Sequence, residues 1–246
     1  MEWQDEGVLI AMRLHGETSA IIEVFTAAHG RHLGVVRGGA SRRLAAVLQP
    51  GSQVALGWRA RLDEHIGVFT VEPLRARAGL LADRLALSGL NAVCAMLQVA
   101  LPEREANAGL WRATMALLDA MEGAAPGWPA AYLRWEMQLL EDIGFGLDLT
   151  RCAVTGSRED LAFVSPKSGR AVGRLAAGEW AAKLLPLPVV MLGQGPASGA
   201  ELVQGLAVTG HFLERGLAPV LSGRVLSGRV LPEARNRLIA LLARER

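Results

Sequence analysis

The spacing of apolar residues changes once along this chain, close to residue 80. Before that point they occur in short runs separated by turn residues, and in residues 54–61 they alternate with polar or small residues, as in a half-buried β-strand. Beyond it they recur at intervals of three and four, as on one face of an α-helix. The pattern therefore predicts an α+β multidomain chain, with a β domain followed by a helical domain.

Five short apolar runs in the first part are predicted to be strands. They are residues 8–12, 19–26, 33–37, 54–61 and 66–71. Residues 27–31 have the composition of a hairpin turn in which Gly30 takes a positive φ, and a basic loop runs from residue 38 to 49. Such strands favour a small closed barrel, and the five-stranded OB-fold is the commonest barrel of this kind that binds oligonucleotides. An SH3-like barrel fits the same periodicity.

The second part contains six segments with helical spacing. They are residues 80–97, 110–121, 130–143, 177–185, 200–215 and 232–243. A strand is predicted at 188–192, and residues 152–174 are irregular. The sequence thus predicts an OB-fold domain at 1–78, an all-α domain built from 79–150 and 175–246, and a small insert at 151–174.

Composition indicates a folded cytoplasmic protein. Hydrophobic residues make up 51% of the chain, which argues against extensive disorder. No run of about 18 uncharged apolar residues occurs, and the first residues are acidic, unlike those of a signal peptide. The chain has two cysteines, Cys94 and Cys152, and we expect no disulfide between them in a reducing compartment.

Positive charge is concentrated locally although the net charge is only +2. No acidic residue occurs between Glu23 and Asp63. We predict that the arginines of this stretch form a groove that follows the phosphates of a nucleic acid. They are Arg31, Arg37, Arg42, Arg43, Arg59 and Arg61. The alternative is an ordinary solvated face in a chain whose 24 arginines against 2 lysines reflect a GC-rich genome.

Aromatic residues of the barrel segment are assigned to the core. Exposed rings would stack on bases. Trp58, however, falls on the face opposite Arg59 and Arg61 in the alternation, and we assign Phe25 and Phe69 to the core with it.

No arrangement of residues specifies a catalytic or cofactor site. The glycines of 193–199 follow a predicted strand and precede a helix, like a dinucleotide fingerprint, but their spacing differs from it and Pro196 removes a backbone donor. Nucleophile-elbow, metalloprotease and P-loop motifs do not occur. We therefore predict a protein without enzymatic activity, cofactor or metal. A direct repeat at 221–230 is either a second phosphate-contacting segment or a loop produced by duplication.

Several ordered segments resemble the RecO family of bacterial recombination proteins. They are Asp5-Glu6-Gly7, Gly16-Glu17-Thr18-Ser19, His29-Gly30-Arg31, Arg37-Gly38-Gly39-Ala40, Leu48-Gln49-Pro50, Leu133-Arg134-Trp135-Glu136 and residues 139–147. The resemblance covers residues 2 to about 220. It implies an N-terminal OB-fold, a helical body and, in many members, a zinc-ribbon-like insert.

The resemblance also implies a function and partners. Members bind single- and double-stranded DNA, anneal complementary strands and, with RecR, help to load RecA on strands coated with single-strand-binding protein (SSB). We expect RecR to dock on the barrel and the acidic C-terminal tail of SSB to bind the helical body. Arg112, Arg134 and Arg215 are the candidate residues for that tail. The expected location is the cytoplasm, in association with the nucleoid.

The insert departs from the zinc-bearing members of that family. Those members carry two cysteine pairs, whereas this chain has Cys152 followed by Thr155, and Ala171 and Arg174 near the second pair. A single thiolate does not form a structural zinc site. We therefore predict a metal-free insert held by its own hairpin, with residues 161–164 packing on the body.

Two other functions fit parts of the sequence. The first is a protein-interaction adaptor whose barrel no longer contacts DNA, which the near-neutral charge of residues 1–80 favours. The second is an enzyme that binds a nucleotide at 193–199. Thermal stabilisation by NAD, FAD or ATP would support the enzyme, whereas stabilisation by an oligonucleotide alone would exclude it.

Overall fold

The computed structural model describes residues 1–62, 64–195, 197–221 and 231–244. The chain divides into two compact units, Met1–Ala124 and Ala125–Arg246. The first contains a β-barrel with helices after it, and the second contains helices and a small sheet. From residue 222 onward the repeat at 221–230 lies outside the described residues.

Five strands form a closed barrel in the first unit. They are β1 (Glu2–His15), β2 (Ser19–Thr26), β3 (Gly30–Val36), β4 (Gln53–Arg59) and β5 (Val68–Arg75). Around the barrel their order is β1-β2-β3-β5-β4, and β4 pairs with β1. β3 and β5 are parallel, whereas the other neighbours are antiparallel. This topology is that of a five-stranded OB-fold and confirms the predicted fold class.

The hairpin between β2 and β3 requires glycine at its end. Gly30 has a φ of +61°, as predicted, and a Cβ there would lie 1.9 Å from the carbonyl oxygen of Glu105. The predicted basic loop after β3 instead contains a helix, α1 (Arg42–Val47). Ser41 caps this helix by accepting a hydrogen bond from the N–H of Leu44 at 3.4 Å. The residues after Ser41 are mostly good helix formers, which favours a helix over a loop.

Alternation along the strands places large apolar side chains inside the barrel. Trp58, Phe69 and Leu56 are buried in one cluster with Leu9 and Val54, while Arg59 faces solvent. Phe25 is also buried, so the three aromatic assignments are confirmed. A fully buried large side chain contributes about 1.5–3 kcal/mol relative to an exposed one, so the barrel is held chiefly by this cluster.

Three helices complete the first unit: α2 (Gly79–Ala82), α3 (Arg84–Ala100) and α4 (Ala108–Glu122). The side chain of Asp83 caps α3 by accepting from the N–H of Ala86 at 2.7 Å, and Asn107 caps α4 at 2.9 Å. Buried Arg77, just after β5, links the chain there to α4, since its guanidinium contacts Asp119 at 2.6 Å and Glu122 at 3.4 Å.

The second unit is built around a long helix. Its helices are α5 (Trp128–Asp142), α6 (Arg174–Ala177), α7 (Gly199–Leu221) and α8 (Glu233–Leu242). α5 packs on α7, and α8 is tied to both by buried Arg235. The Nε of Arg235 donates to Glu136 at 2.7 Å, and its Nη2 donates to the carbonyl of Leu206 at 2.6 Å. Thr209 donates to the same carboxylate at 2.6 Å.

Two strands of the insert, β6 (Leu161–Val164) and β7 (Ala171–Gly173), join β8 (Leu185–Pro186) from the segment after it in a three-stranded sheet of order β7-β6-β8. The β6–β7 hairpin was expected. Leu161 and Phe163 pack in a cluster with Cys152 and Val172 that also includes Ala177 and Leu184 from the segment after the insert.

The predicted helix 177–185 was wrong. α6 ends after one turn at Gly178, whose φ is +46°, and a 3₁₀ helix, Gly178–Lys183, follows before β8. The predicted strand 188–192 was also wrong, because Val189–Leu192 forms a 3₁₀ helix. Both segments are short and apolar, and periodicity does not distinguish conformations over such lengths.

Candidate nucleic-acid interface

An open cleft of about 800 Å³ lies on the barrel, between the β1–β2 turn, β3 and the β4–β5 loop. In OB-folds these two loops and the face of the second and third strands bind oligonucleotides. Three of the predicted arginines line the cleft: Arg37 at the end of β3, and Arg59 and Arg61 at the end of β4. All three are exposed, so their guanidinium groups are available to a ligand.

The strand register explains why these arginines meet. β5 lies between β3 and β4, and its Val68 is aligned with Val35 on one side and with Arg59 on the other. Residues that leave β3 and β4 at the same end therefore flank the same segment of β5. Arg42 and Arg43 are exposed in the first turn of α1, which follows Arg37 closely in the chain.

Arg31 does not belong to this set. Its side chain is only 11% exposed, and its Nε donates to the carbonyl of Leu101 at 2.8 Å. The Nη1 atom pairs with Glu23, and Nη2 lies 3.6 Å from Glu103. Because its charge is compensated by two carboxylates inside the unit, Arg31 stabilises the fold, and we leave it out of the DNA surface proposed below.

Two histidines that sequence reasoning missed line the cleft. His15 ends β1 and His65 lies in the β4–β5 loop, and both are exposed. The signal was available, because each lies between two consecutive predicted strands, where the loops of a barrel are formed. The histidines inside the acid-free stretch lie elsewhere: His32 is buried, and His29 stacks on Trp3 with ring centroids 4.0 Å apart.

Acidic side chains of the barrel line a different cavity. Asp5, Glu6 and Glu72 line a space of about 500 Å³ whose lining includes no cationic side chain. Burial raises the pKa of Asp5, but hydrogen bonds from His29 and from the N–H groups of Glu6 and Ala28 outweigh it and hold the pKa below its usual value. The nearly neutral barrel therefore has a basic cleft and a separate acidic cavity, and phosphates would be attracted to the cleft.

The three arginines predicted for partner binding lie in different surroundings. Arg112 is exposed on α4 of the first unit, where its Nε contacts its own helix. Arg215 on α7 donates to the carbonyl oxygens of Pro166 and Lys167, at 3.1 and 2.6 Å, and so holds the β6–β7 turn. Arg134 on α5 lines a cavity of about 660 Å³ with Met137. That cavity also contains Glu141, Asp142 and Asp148.

The glycine-rich segment at 193–199 does not have the surroundings of a nucleotide site. A 3₁₀ helix rather than a strand precedes it, and Pro196 lies outside the described residues. At the start of α7, the Glu201 carboxylate accepts from the N–H and hydroxyl of Ser198, at 3.0 and 2.8 Å. These bonds lower the pKa of Glu201. The protein's own carboxylate thus occupies the helix end that a phosphate would need.

The insert's residues do not fit a zinc ion. Cys152 is its one thiol, and Thr155, Ala171 and Arg174 stand near the remaining ligand positions. The Sγ of Cys152 instead accepts hydrogen bonds from the N–H groups of Gly173 and Val154, at 3.2 and 3.4 Å. Within the described parts of the chain, no group of three or more His, Cys, Asp or Glu residues is placed to hold a metal.

Comparison with known proteins identifies relatives along nearly the whole chain. The family model "Recombination protein O N terminal" matches residues 1–77, and "Recombination protein O C terminal" matches residues 81–223. A protein of Cereibacter sphaeroides (strain ATCC 17025) named "DNA repair protein RecO" is 71% identical over 244 residues, which cover 99% of both chains.

Proteins of the same name from two other organisms are more distant. The one from Dinoroseobacter shibae is 58% identical over the full length of both chains, and the one from Ruegeria sp. TM1040 is 56% identical over 99% of both. Among the described residues, no helix combines the length and hydrophobicity needed to cross a membrane.

Proposed function

The chain belongs to the RecO family of recombination and DNA repair proteins, and from that membership we propose that it acts as a recombination mediator. It binds single- and double-stranded DNA, anneals complementary strands and, with RecR, helps to load RecA on single strands coated with SSB. The observation that carries this proposal is the cleft of the OB-fold, where Arg37, Arg59 and Arg61 are exposed together.

Annealing follows from charge neutralisation. Two strands repel each other through their phosphates, and arginines that bind those phosphates release counterions and reduce the repulsion. Base pairing then supplies the free energy, so the protein acts without a cofactor or a covalent step. This activity belongs in the cytoplasm, at the nucleoid.

The two proposed protein partners bind different units of the chain. RecR docks on the barrel, and the acidic, apolar-ended tail of SSB binds the second unit. Of the three candidate arginines, Arg134 is supported best, since it lines a cavity with Met137 and Leu147. The three carboxylates in that cavity oppose an acidic ligand, so we expect this contact to depend on the apolar end of the tail.

A salt series with a charge-reversed variant tests DNA binding. We expect wild-type protein to bind a fluorescent single-stranded oligonucleotide with an affinity that falls as salt rises. Changing Arg37, Arg42 and Arg43 together to Glu removes three cations, so the negative slope of log affinity against log salt should become shallower by about 2. Fluorescence anisotropy measures both quantities.

A matched control has the same change in net charge elsewhere. Arg151, Arg158 and Arg237 are exposed in the second unit, and their joint change to Glu should leave most of the affinity. Binding that survives the barrel variant but not this control would move the DNA site to the second unit. Absence of wild-type binding at low salt would favour the adaptor function instead.

A further inference from the structure

One wall of the barrel cleft is held rigidly by its backbone. Residues 65–67 of the β4–β5 loop have three successive carbonyl groups that all accept hydrogen bonds. His65 accepts from Nη2 of Arg104 at 3.0 Å, Ile66 from Nε1 of Trp58 at 3.1 Å, and Gly67 from the N–H of Val35 at 3.0 Å. Because these donors belong to the core, to β3 and to the segment after α3, the loop is fixed from three sides.

Local conformation reinforces this arrangement. Gly67 has a φ of +66°, and a Cβ there would lie 2.3 Å from the indole nitrogen of Trp58. The residue that holds His65, Arg104, also has a positive φ, of 66°, and its N–H donates to the carbonyl of Arg31 at 2.8 Å. The backbone that carries His65 and Ile66 is therefore held in place before a ligand binds, which lowers the entropic cost of binding.

The floor of the cleft between the arginines is apolar. Val35 and Val68 line it, and Ile66, in the adjoining wall, is 40% exposed. Imidazole rings of His15 and His65 line the same cleft. Among its described lining residues these are the flat rings, since Trp58 and Phe69 are buried in the core and the partly buried Trp3 lines a different cavity.

We infer that this floor receives unpaired bases, with His65 and Ile66 as the principal base-contacting residues and the arginines holding the flanking phosphates. A DNA duplex covers the faces of its bases by stacking and presents phosphates outward, so it gains nothing from an apolar floor. A single strand exposes those faces, and imidazole rings and apolar surface bind them. The cleft thus selects single-stranded over duplex DNA. This inference rests on the proposed DNA-binding function.

An abasic oligonucleotide separates the two contributions, because it keeps the phosphates and lacks the bases. We expect wild-type protein to bind a normal single strand more tightly than an abasic strand or a duplex of equal length, on the order of tenfold for one to two stacked bases. Changing His65 and Ile66 together to Ala should lower affinity for the normal strand to the abasic level. Affinity for the abasic strand should not change.

Two further variants show whether the ring and the position matter. His65→Phe keeps a flat ring and should retain the preference for bases, whereas His65→Ala should reduce it. Leu74→Ala removes a 49% exposed side chain at the far end of β5, which does not line the cleft, and should behave as wild type.

Failure of the inference is distinguishable from failure of the proposed function. Equal wild-type affinity for normal and abasic strands, with both reduced by changing Arg37, Arg59 and Arg61, would overturn the base-contacting role and leave DNA binding intact. An equal loss for both strands in the His65 and Ile66 variant would overturn it as well. No wild-type binding to any strand would remove the DNA-binding function itself. The wild-type comparison needs no variant, so it decides even where a substitution prevents folding.

Discussion

Among the described residues, Arg31, Arg77 and Arg235 are buried, and each contacts at least one carboxylate. Burial of an uncompensated guanidinium is strongly unfavourable, so these residues require Glu23, Asp119 or Glu136 beside them. The exposed arginines of the cleft have no such requirement and remain available to phosphates. The number of arginines in a segment therefore does not measure its capacity to bind DNA.

At the same scale, the environment of Cys152 predicts an acidic thiol. Burial raises its pKa, but hydrogen bonds from the Thr155 hydroxyl and from the N–H groups of Gly173, Thr155 and Val154 outweigh burial and lower the pKa to about 7. Burial instead raises the pKa of Cys94 to about 12. We expect the ultraviolet absorbance of a thiolate to develop with a midpoint near pH 7 in folded wild-type protein.

The same shift affects stability. Because the folded pKa of Cys152 lies below the ordinary value near 9, its thiolate stabilises the folded state. This stabilisation is fully present above pH 9 and is lost as pH falls through about 7. Cys152→Ser should abolish the absorbance change near pH 7, while Cys94→Ser should not. A wild-type midpoint at or above pH 9 would contradict the assigned hydrogen bonds.

At the scale of elements, α8 is attached by the buried Arg235–Glu136 ion pair together with the buried side chains of Leu238 and Leu242. Changing Arg235 to Met leaves Glu136 charged and buried without its partner, which should lower the free energy of unfolding by about 3–5 kcal/mol. Arg237, exposed on the same helix, gives the matched control, and Arg237→Met should have little effect. Chemical denaturation measures both.

Combining Arg235→Met with Glu136→Gln removes the uncompensated charge as well. The double variant should therefore be less destabilised than the sum of the two single changes. Equal stability of Arg235→Met and Arg237→Met would show that the pair does not hold α8 in place.

The strands were predictable for a physical reason that does not extend to every element. Ser19–Thr26 is a short run rich in apolar and β-branched residues and is bounded by turn residues, so its ends follow from sequence. The polar start of β1, from Glu2, is strand because it pairs with β4, and no local signal records that pairing. An α-helix does not form at 177–185, because Gly178 takes a positive φ that ends α6 and a 3₁₀ helix follows, which apolar spacing does not reveal.

The candidate site was predictable to a similar extent. An acid-free, arginine-rich stretch indicated a cationic groove, and Arg37, Arg59 and Arg61 do line one cleft. The burial of Arg31 was not predictable, because its partners Leu101 and Glu103 are distant in sequence. The role of His65 in the wall depends likewise on Arg104, which only the fold brings near.

At the scale of the whole molecule, the near-neutral net charge of +2 conceals a separation of charge. The cleft contains arginine and histidine side chains, whereas the cavity at Asp5, Glu6 and Glu72 is acidic. A strand of DNA is steered by this local field rather than by net charge. The near-neutral charge of residues 1–80, which favoured an adaptor, is therefore compatible with a DNA-binding barrel.

The central claim is that single-stranded DNA binds in the barrel cleft, and photocrosslinking tests it most directly. Wild-type protein is irradiated with a photoreactive single-stranded oligonucleotide, and the crosslinked peptides are identified by mass spectrometry. We expect crosslinks within residues 15–19, 35–43 and 59–68, which contain the cleft and the start of α1. Crosslinks confined to residues 125–246 would contradict the claim.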